Sequence, residues 1–346
     1  MTMKFILDSK LFALQNGISE RDFKLFVRRL MMWDRWLELH PNDVYVLSDT
    51  IECLSACGCY PSYIVFEPLL RKYHINYYSA ADIDRTINKL LLQAHKIDQC
   101  ANKRVDDEVI FQQVRIKGGL DLAERTGRMK QALDRLLWCI YCQMRQQAIQ
   151  REEFVVFIQG VKGEVLFEVE FDTIEEREGT PEELHHQVEA KVTCCPSLKD
   201  FFADEAMTLH LLRQTKERED LMLAIRTAIY QHGNLKKVYD AFDHFDFYIQ
   251  HSFMKDFRNA HYEANESVQK SLMLAMSHTL LNENLAQRED YRTGKGGNNG
   301  QLSRNGFWAW RRFVTRSIKM QYWQKDKNYR FANVKEHDIF VCEWED

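Results

Sequence analysis

One stretch near the start, Met3-Lys4-Phe5-Ile6-Leu7-Asp8-Ser9-Lys10-Leu11-Phe12, constrains the fold more than any other. An apolar run stops at an aspartate, a small polar residue follows, and a new apolar segment begins. That pattern specifies a buried strand delivering one carboxylate to the carboxyl edge of a sheet, the edge where open α/β sheets bind ligands. Downstream, Ser19 with Asp22 three residues on marks a helix start. Phe23, Phe26, Val27, Leu30, Trp33 and Leu37 follow at helical spacing and predict one buried face. Pro41-Asn42-Asp43 ends that helix, Val44 to Ser48 reads as a second strand, and Thr50 to Leu54 opens another helix. Residues 62–100 and 120–150 read as helical. Phe154 to Ile158 is a compact β run, and Val165 to Phe171, after a Lys162-Gly163 turn, alternates like its hairpin partner. Strand, helix, strand, several helices and strand predict an α/β fold with a parallel sheet flanked by helices.

From about Pro196 the pattern changes. Nearly everything reads as helical to Ala286, a glycine-rich loop spans Arg292 to Gly300, and the last apolar run is Ile339 to Cys342. The chain of 346 residues is therefore expected to form two domains, 1–195 and 196–346, the second mainly α-helical with a basic aromatic C-terminal segment. Net charge is −4, but its distribution is uneven. Residues 288–330 hold 11 Lys/Arg against 3 Asp/Glu, and residues 164–189 hold 10 acids against one arginine. The nine cysteines are irregularly spaced, and no signal-peptide pattern opens the chain, so a reducing, cytoplasmic setting is expected. Cys139 and Cys142 form a C-x-x-C inside an apolar helical run and read as buried structural thiols. No apolar stretch reaches membrane-spanning length.

Two further acids stand in settings like that of Asp8. Glu52 lies just beyond the second strand, and Asp134 opens the run Ala132 to Trp138. In these three motifs residues 3–158 resemble the PIN-domain nucleases, whose pattern is a strand ending in Asp, a strand leading into Thr-x-x-Glu-like text, and a helix beginning Asp-x-Leu-Ile. The resemblance implies a metal-dependent, usually RNA-cleaving site in which Asp8, Glu52 and Asp134 hold Mg²⁺ or Mn²⁺. Carboxylates suit that role because hard divalent cations prefer oxygen ligands, and the metal stabilises charge during phosphodiester cleavage. Ser9-Lys10 departs from the family, which often has a small polar residue followed by asparagine after the first acid. Lys10 is read as a phosphate contact. A fourth acid is not evident, with Asp49, Asp106 and Asp107 the possible substitutes, and the polar signature after the last strand is only Gln159-Gly160.

Three other constellations compete. Glu189-Ala190-Lys191, with Asp172 earlier, resembles the E-x-K end of restriction-endonuclease-like nucleases, two acids holding metal while lysine orients water. Arg226 and His232 resemble the Arg/His motif of the helical HEPN ribonucleases, although six residues splay the two side chains on a straight helix. His185-His186 reads as solvated. Finally, Phe307 to Trp323 interleaves aromatics with cations. Phe307, Trp310, Phe313, Val314, Ser317, Ile318 and Gln321 fit a buried helical stripe. That leaves Arg311, Arg312, Arg316 and Lys319, with Lys295 and Arg304, as a nucleic-acid surface.

The expectation is a metal-dependent nuclease acting on RNA before DNA, with a controlling or complex-forming protein partner and a toxin-like or phage-defence setting. A non-catalytic nucleic-acid-binding or scaffold subunit is the alternative.

Overall fold

The opening run forms strand β1 (Met3–Leu7), buried along its whole length. The computed structural model describes residues 3–100, 109–117, 127–146, 153–177, 180–204, 209, 211–213, 215, 217–232, 246–259, 262, 265–292, 300–336 and 342–345. The chain divides into two compact units, Met1–Asp200 and Phe201–Asp346. It is an α/β protein of mixed sheets flanked by helices.

In the first unit, β1 is followed by helix α1 (Glu20–Leu39), strand β2 (Val44–Val46) and helices α2 (Thr50–Ala56), α3 (Tyr63–Lys72) and α4 (Ala80–Gln93). The Ser19 side chain accepts from the Asp22 backbone N–H and caps α1. Its predicted face is buried as expected, from Phe23 to Leu37. Phe5 meets Trp36 at 5.3 Å between ring centroids, which pins that face onto β1. Strand β3 (His95–Lys96), helix α5 (Ile97–Cys100), strand β4 (Val109–Lys117), helix α6 (Gly127–Gln146) and strand β5 (Glu153–Phe157) follow. The unit closes with strands β6 (Gly163–Arg177) and β7 (Thr180–Cys195).

The sheet order is β3-β2-β1-β5-β7-β6-β4. Neighbours from β3 to β7 run parallel, and β6 and β4 are antiparallel to theirs. One strand expectation needs correction. The partner of β6 is β7, along its whole length, and not β5, which lies between β1 and β7. The acidic stretch 164–189 is therefore mostly this hairpin. Alternation explains it: Val165, Phe167, Val169 and Phe171 are buried against Trp138 and Tyr141 of α6, while acids occupy the other face.

After α7 (Leu198–Ala203) come α8 (Arg218–His232), β8 (Asp246–Ile249), α9 (His251–Asn259) and α10 (Glu266–Leu280). Here the expectation of a mainly helical domain fails. Residues 288–336 contribute strands β9 (Arg288–Asp290), β10 (Ser303–Arg304), β11 (Phe307–Phe313), β12 (Ile318–Lys325) and β13 (Asn328–Glu336). With β8 they make a six-stranded sheet, antiparallel except where β13 meets β8. The proposed helical stripe from Phe307 is two strands, in which Phe307 and Ala309 are buried while Trp308 is exposed. Asn305-Gly306, with φ of 51° and 79°, is the two-residue turn joining β10 to β11. Residues 339–341 of the expected last apolar run lie outside the described residues.

Candidate functional site: the carboxyl edge of the first sheet

The path of the chain selects the place. It runs from β1 to β2 to β3 on one side, then returns to β5 on the other side of β1. The reversal between β1 and β5 is a topological switch point, where ligands of open α/β sheets bind beyond the carboxyl ends. Asp8 follows β1 directly, and Gln159 follows β5 after Ile158.

Asp8 is 1% exposed. Its backbone N–H donates to the Phe157 carbonyl at 3.2 Å, extending the β1–β5 ladder by one rung. Its own carbonyl accepts from Leu11, which turns Ser9–Phe12 into a single 3-10 turn. The backbone at Asp8 is still extended (φ −67°, ψ 138°). Alternation then puts its carboxylate on the face of Lys4 and Ile6. That face belongs to α6: Lys4 donates to Gln143 at 3.1 Å, and Ile6 joins the α6 core cluster. On the same side Cys194 is pushed up to about 12, by burial first and by the charges of Cys195 and Asp8 after it.

The 3-10 turn, α2 and α6 touch one another here, so the elements carrying Asp8, Glu52 and Asp134 meet. The Ser9 and Thr50 hydroxyls bond at 3.1 Å, and Thr50 donates to the Leu47 carbonyl. The acids themselves are not assembled as ligands. Glu52 is exposed on α2, and Asp134 is half-buried and pairs with Lys130 at 2.7 Å. Among the described residues no group of three or more His, Cys, Asp or Glu side chains is placed to hold a metal ion. In this arrangement the three acids do not fit the Mg²⁺ or Mn²⁺ role. Asp49 is no substitute, because Arg135 bridges it at 2.8 Å and Asp98 at 3.1 Å. Asp98 in turn accepts from the Ser48 backbone N–H and hydroxyl. Asp106 and Asp107 lie outside the described residues.

Between α1 and the carboxyl ends of β1 and β5 lies a cavity of about 510 Å³. Lys10, Asn16, Arg29 and Gln159 line it, with Ser19 and Asp22 from the start of α1. Arg29 donates to the Leu11 carbonyl at 3.1 Å, while its buried Nε has no hydrogen-bond partner among the described residues. Burial pulls its guanidinium below the usual value. Two cations, three carboxamides (Gln15, Asn16 and Gln159) and a hydroxyl against one acid make a donor-rich pocket suited to phosphate. Lys10 was legible from its place after Asp8. Arg29 was missed because on a helical wheel it reads as a solvated residue beside the apolar stripe.

The rival constellations separate. Across the hairpin Asp172 faces His185, whereas Glu189 faces Glu168, four residues further along. That offset is about 13 Å of strand. Lys191 pairs with Glu164 at 3.0 Å, and Asp172 with His185 at 2.6 Å. Thus Asp172, Glu189 and Lys191 form no joint site, and His185 is paired rather than simply solvated. His186 stacks on Phe171 at 4.7 Å and bonds Thr173. Arg226 is buried with its guanidinium 5.1 Å from the Phe247 ring, while His232 is exposed, so the Arg/His pair is also apart.

The basic tail is partly withdrawn from solvent, although Arg304 stays exposed. Arg311 and Lys319 share Glu289 at 2.7 and 3.1 Å, Lys319 and Arg312 are buried, and Arg304 lies 5.4 Å from the Trp344 ring. Arg316 is exposed, and Lys295 lies outside the described residues. The strand alternation responsible turns every second cation inward. Cys139 and Cys142 are buried in the α6 core cluster. No protein-family model, curated protein or solved structure matches this chain. No helix among the described residues is long and apolar enough to cross a membrane.

Proposed function

We propose that the first unit binds a nucleic-acid strand at the carboxyl edge of its parallel strands, with a phosphate in the switch-point pocket. One observation carries this reading: Lys10 and Arg29 converge on a 510 Å³ donor-rich cavity at the reversal between β1 and β5. Lys10 supplies a mobile point charge and Arg29 a fork of directed donors. Gln159 and Asn16 add neutral donors that favour phosphate oxygens without reading sequence. RNA is preferred to DNA on the strength of the resemblance of residues 3–158 to PIN-domain nucleases. The reading is that of a binding subunit, and a controlling protein partner and a defence or toxin-like setting rest on the same resemblance.

A second reading, metal-dependent hydrolysis at Asp8, Glu52 and Asp134, is favoured by the meeting of the 3-10 turn, α2 and α6 beside Asp8. It requires the Lys130–Asp134 pair to open, a modest cost for a surface ion pair. One experiment separates the two: fluorescence anisotropy on labelled single-stranded RNA beside a Mn²⁺ titration and a cleavage assay. The binding reading expects Lys10→Ala and Arg29→Met each to weaken RNA binding about tenfold (~1.4 kcal/mol), with no cleavage. Cleavage that needs Mn²⁺ and vanishes in Asp8→Asn would replace it with the nuclease reading. RNA affinity unchanged in both pocket variants would remove the pocket from the proposal.

A further inference from the structure

The second sheet carries an electrostatic imbalance on one face. Arg312 on β11 stands directly opposite Arg288 on β9. Like charges at opposed positions destabilise a sheet. Arg312 is 1% exposed, so its charge is also removed from water. Its Nη2 donates to the Glu283 carbonyl at 2.8 Å. Its Nε and Nη1 are buried and meet no hydrogen-bond acceptor among the described residues, and the same is true of Arg288 Nε. The Tyr322 and Tyr329 hydroxyls stand beside both guanidiniums. His278 of α10, whose buried Nδ1 also lacks a partner among the described residues, completes the cluster next to Arg312.

The protein's own compensation falls short. Glu289 is engaged on the other face of the sheet by Arg311 and Lys319. The groups acting on Arg312, apart from burial, are Tyr322, which also hydrogen-bonds the guanidinium, Arg288 and Tyr329, with no carboxylate among them; the Glu283 carboxylate acts on His278 instead. The carbonyl end of α10 offers about half an elementary negative charge, against two full positive ones. Burial is the main cause that draws the Arg312 guanidinium below its usual value. A buried charge is retained at such a position where something pairs with it.

We propose that Arg312, Arg288, Tyr322 and His278 form an oxyanion site that takes a phosphoryl group, free or carried on a nucleotide. A tetrahedral dianion matches two guanidinium forks plus hydroxyl and imidazole donors better than a flat monoanionic carboxylate does. Arg288, half-buried with its guanidinium 3.2 Å from the Trp310 ring centroid, is the member an incoming ligand meets first. This site is independent of the switch-point pocket, since every residue in it belongs to the second unit.

The test uses the full chain carrying both Lys10→Ala and Arg29→Met, so that both cations of the first pocket are removed. Inorganic phosphate, a nucleoside monophosphate and chloride at matched ionic strength are titrated by calorimetry and by thermal unfolding. The expected result is saturable phosphate binding with a raised Tm, absent with chloride, about tenfold weaker in Arg288→Met and lost in Arg312→Met. Tighter binding of the monophosphate identifies a nucleotide-borne group, and equal binding identifies free phosphate. Absence of saturable phosphate binding overturns the proposal. So does binding unchanged in Arg288→Met, a half-buried position whose replacement leaves the sheet folded.

Discussion

Glu289 shows how a single carboxylate redirects two cations that look, in sequence, like a nucleic-acid surface. Burial pushes its carboxyl up, but the hydrogen bond from Lys319 and the charges of Arg311 and Lys319 outweigh this, and its pKa is lowered. The unfolded chain therefore binds this proton more readily than the native one. The resulting stability is fully present above the ordinary glutamate value of about 4.5 and is lost as pH falls through the lower native value. Glu289→Gln should lower Tm at pH 7 and should flatten the fall of Tm below pH 4.5, read by calorimetry from pH 7 to 3. An unchanged acid slope would show that the Arg311 and Lys319 contacts are not stabilising. The same variant unpairs a buried lysine, so Lys319→Met in the Glu289→Gln background should recover part of the lost stability.

Helices and strands differ in how far local chemistry specifies them. The Ser79 side chain accepts from the Asp82 backbone N–H, and Asp82 returns a bond to the Ser79 N–H, a reciprocal cap on α4. Ser79→Ala should cost about 1 kcal/mol in urea unfolding, with little change in slope. Such devices made the first unit's helices legible: Ser19 with Asp22 starts α1, and six apolar positions at 3.6 spacing name its buried face. Asp8 and Lys10 were legible for a related reason, since an abrupt polar break after a buried run can only be a strand end. The second sheet was not read correctly because Phe307, Trp310, Phe313, Val314 and Ser317 fit a helical stripe by accident of spacing. The signal that decides it is Asn305-Gly306, a turn dipeptide flanked by alternating residues. Partner choice was less legible still. Nothing local in Val165 to Phe171 distinguishes β5 from β7, and that choice is made by the sheet as a whole. Nor could a linear reading find the Arg312–Arg288 opposition, which exists only once β9 is aligned on β11.

At the scale of the whole molecule, the proposed nucleic-acid binding involves one of two compact units, Met1–Asp200. The affinity of the full chain for RNA should therefore fall with salt at a slope set by few phosphate contacts, about one to three. A fragment of residues 1–200 should keep that slope and affinity, measured by anisotropy from about 50 to about 200 mM salt. A fragment that folds by circular dichroism yet fails to bind would place the contact in the second unit instead. One feature of the sheet bears on how that unit is made in the cell. Strand β1 lies at its centre, and its rungs to β5 join Phe5 to Val155 and Leu7 to Phe157. A ribosome delivers the first of each pair long before the second, and contacts of such separation form slowly. Until residue 157 has emerged, β1 presents one edge without its final neighbour, and Gln159 is not there to line the pocket beside Lys10. The nascent chain thus acquires its proposed ligand site late, more than 150 residues after Asp8 is translated.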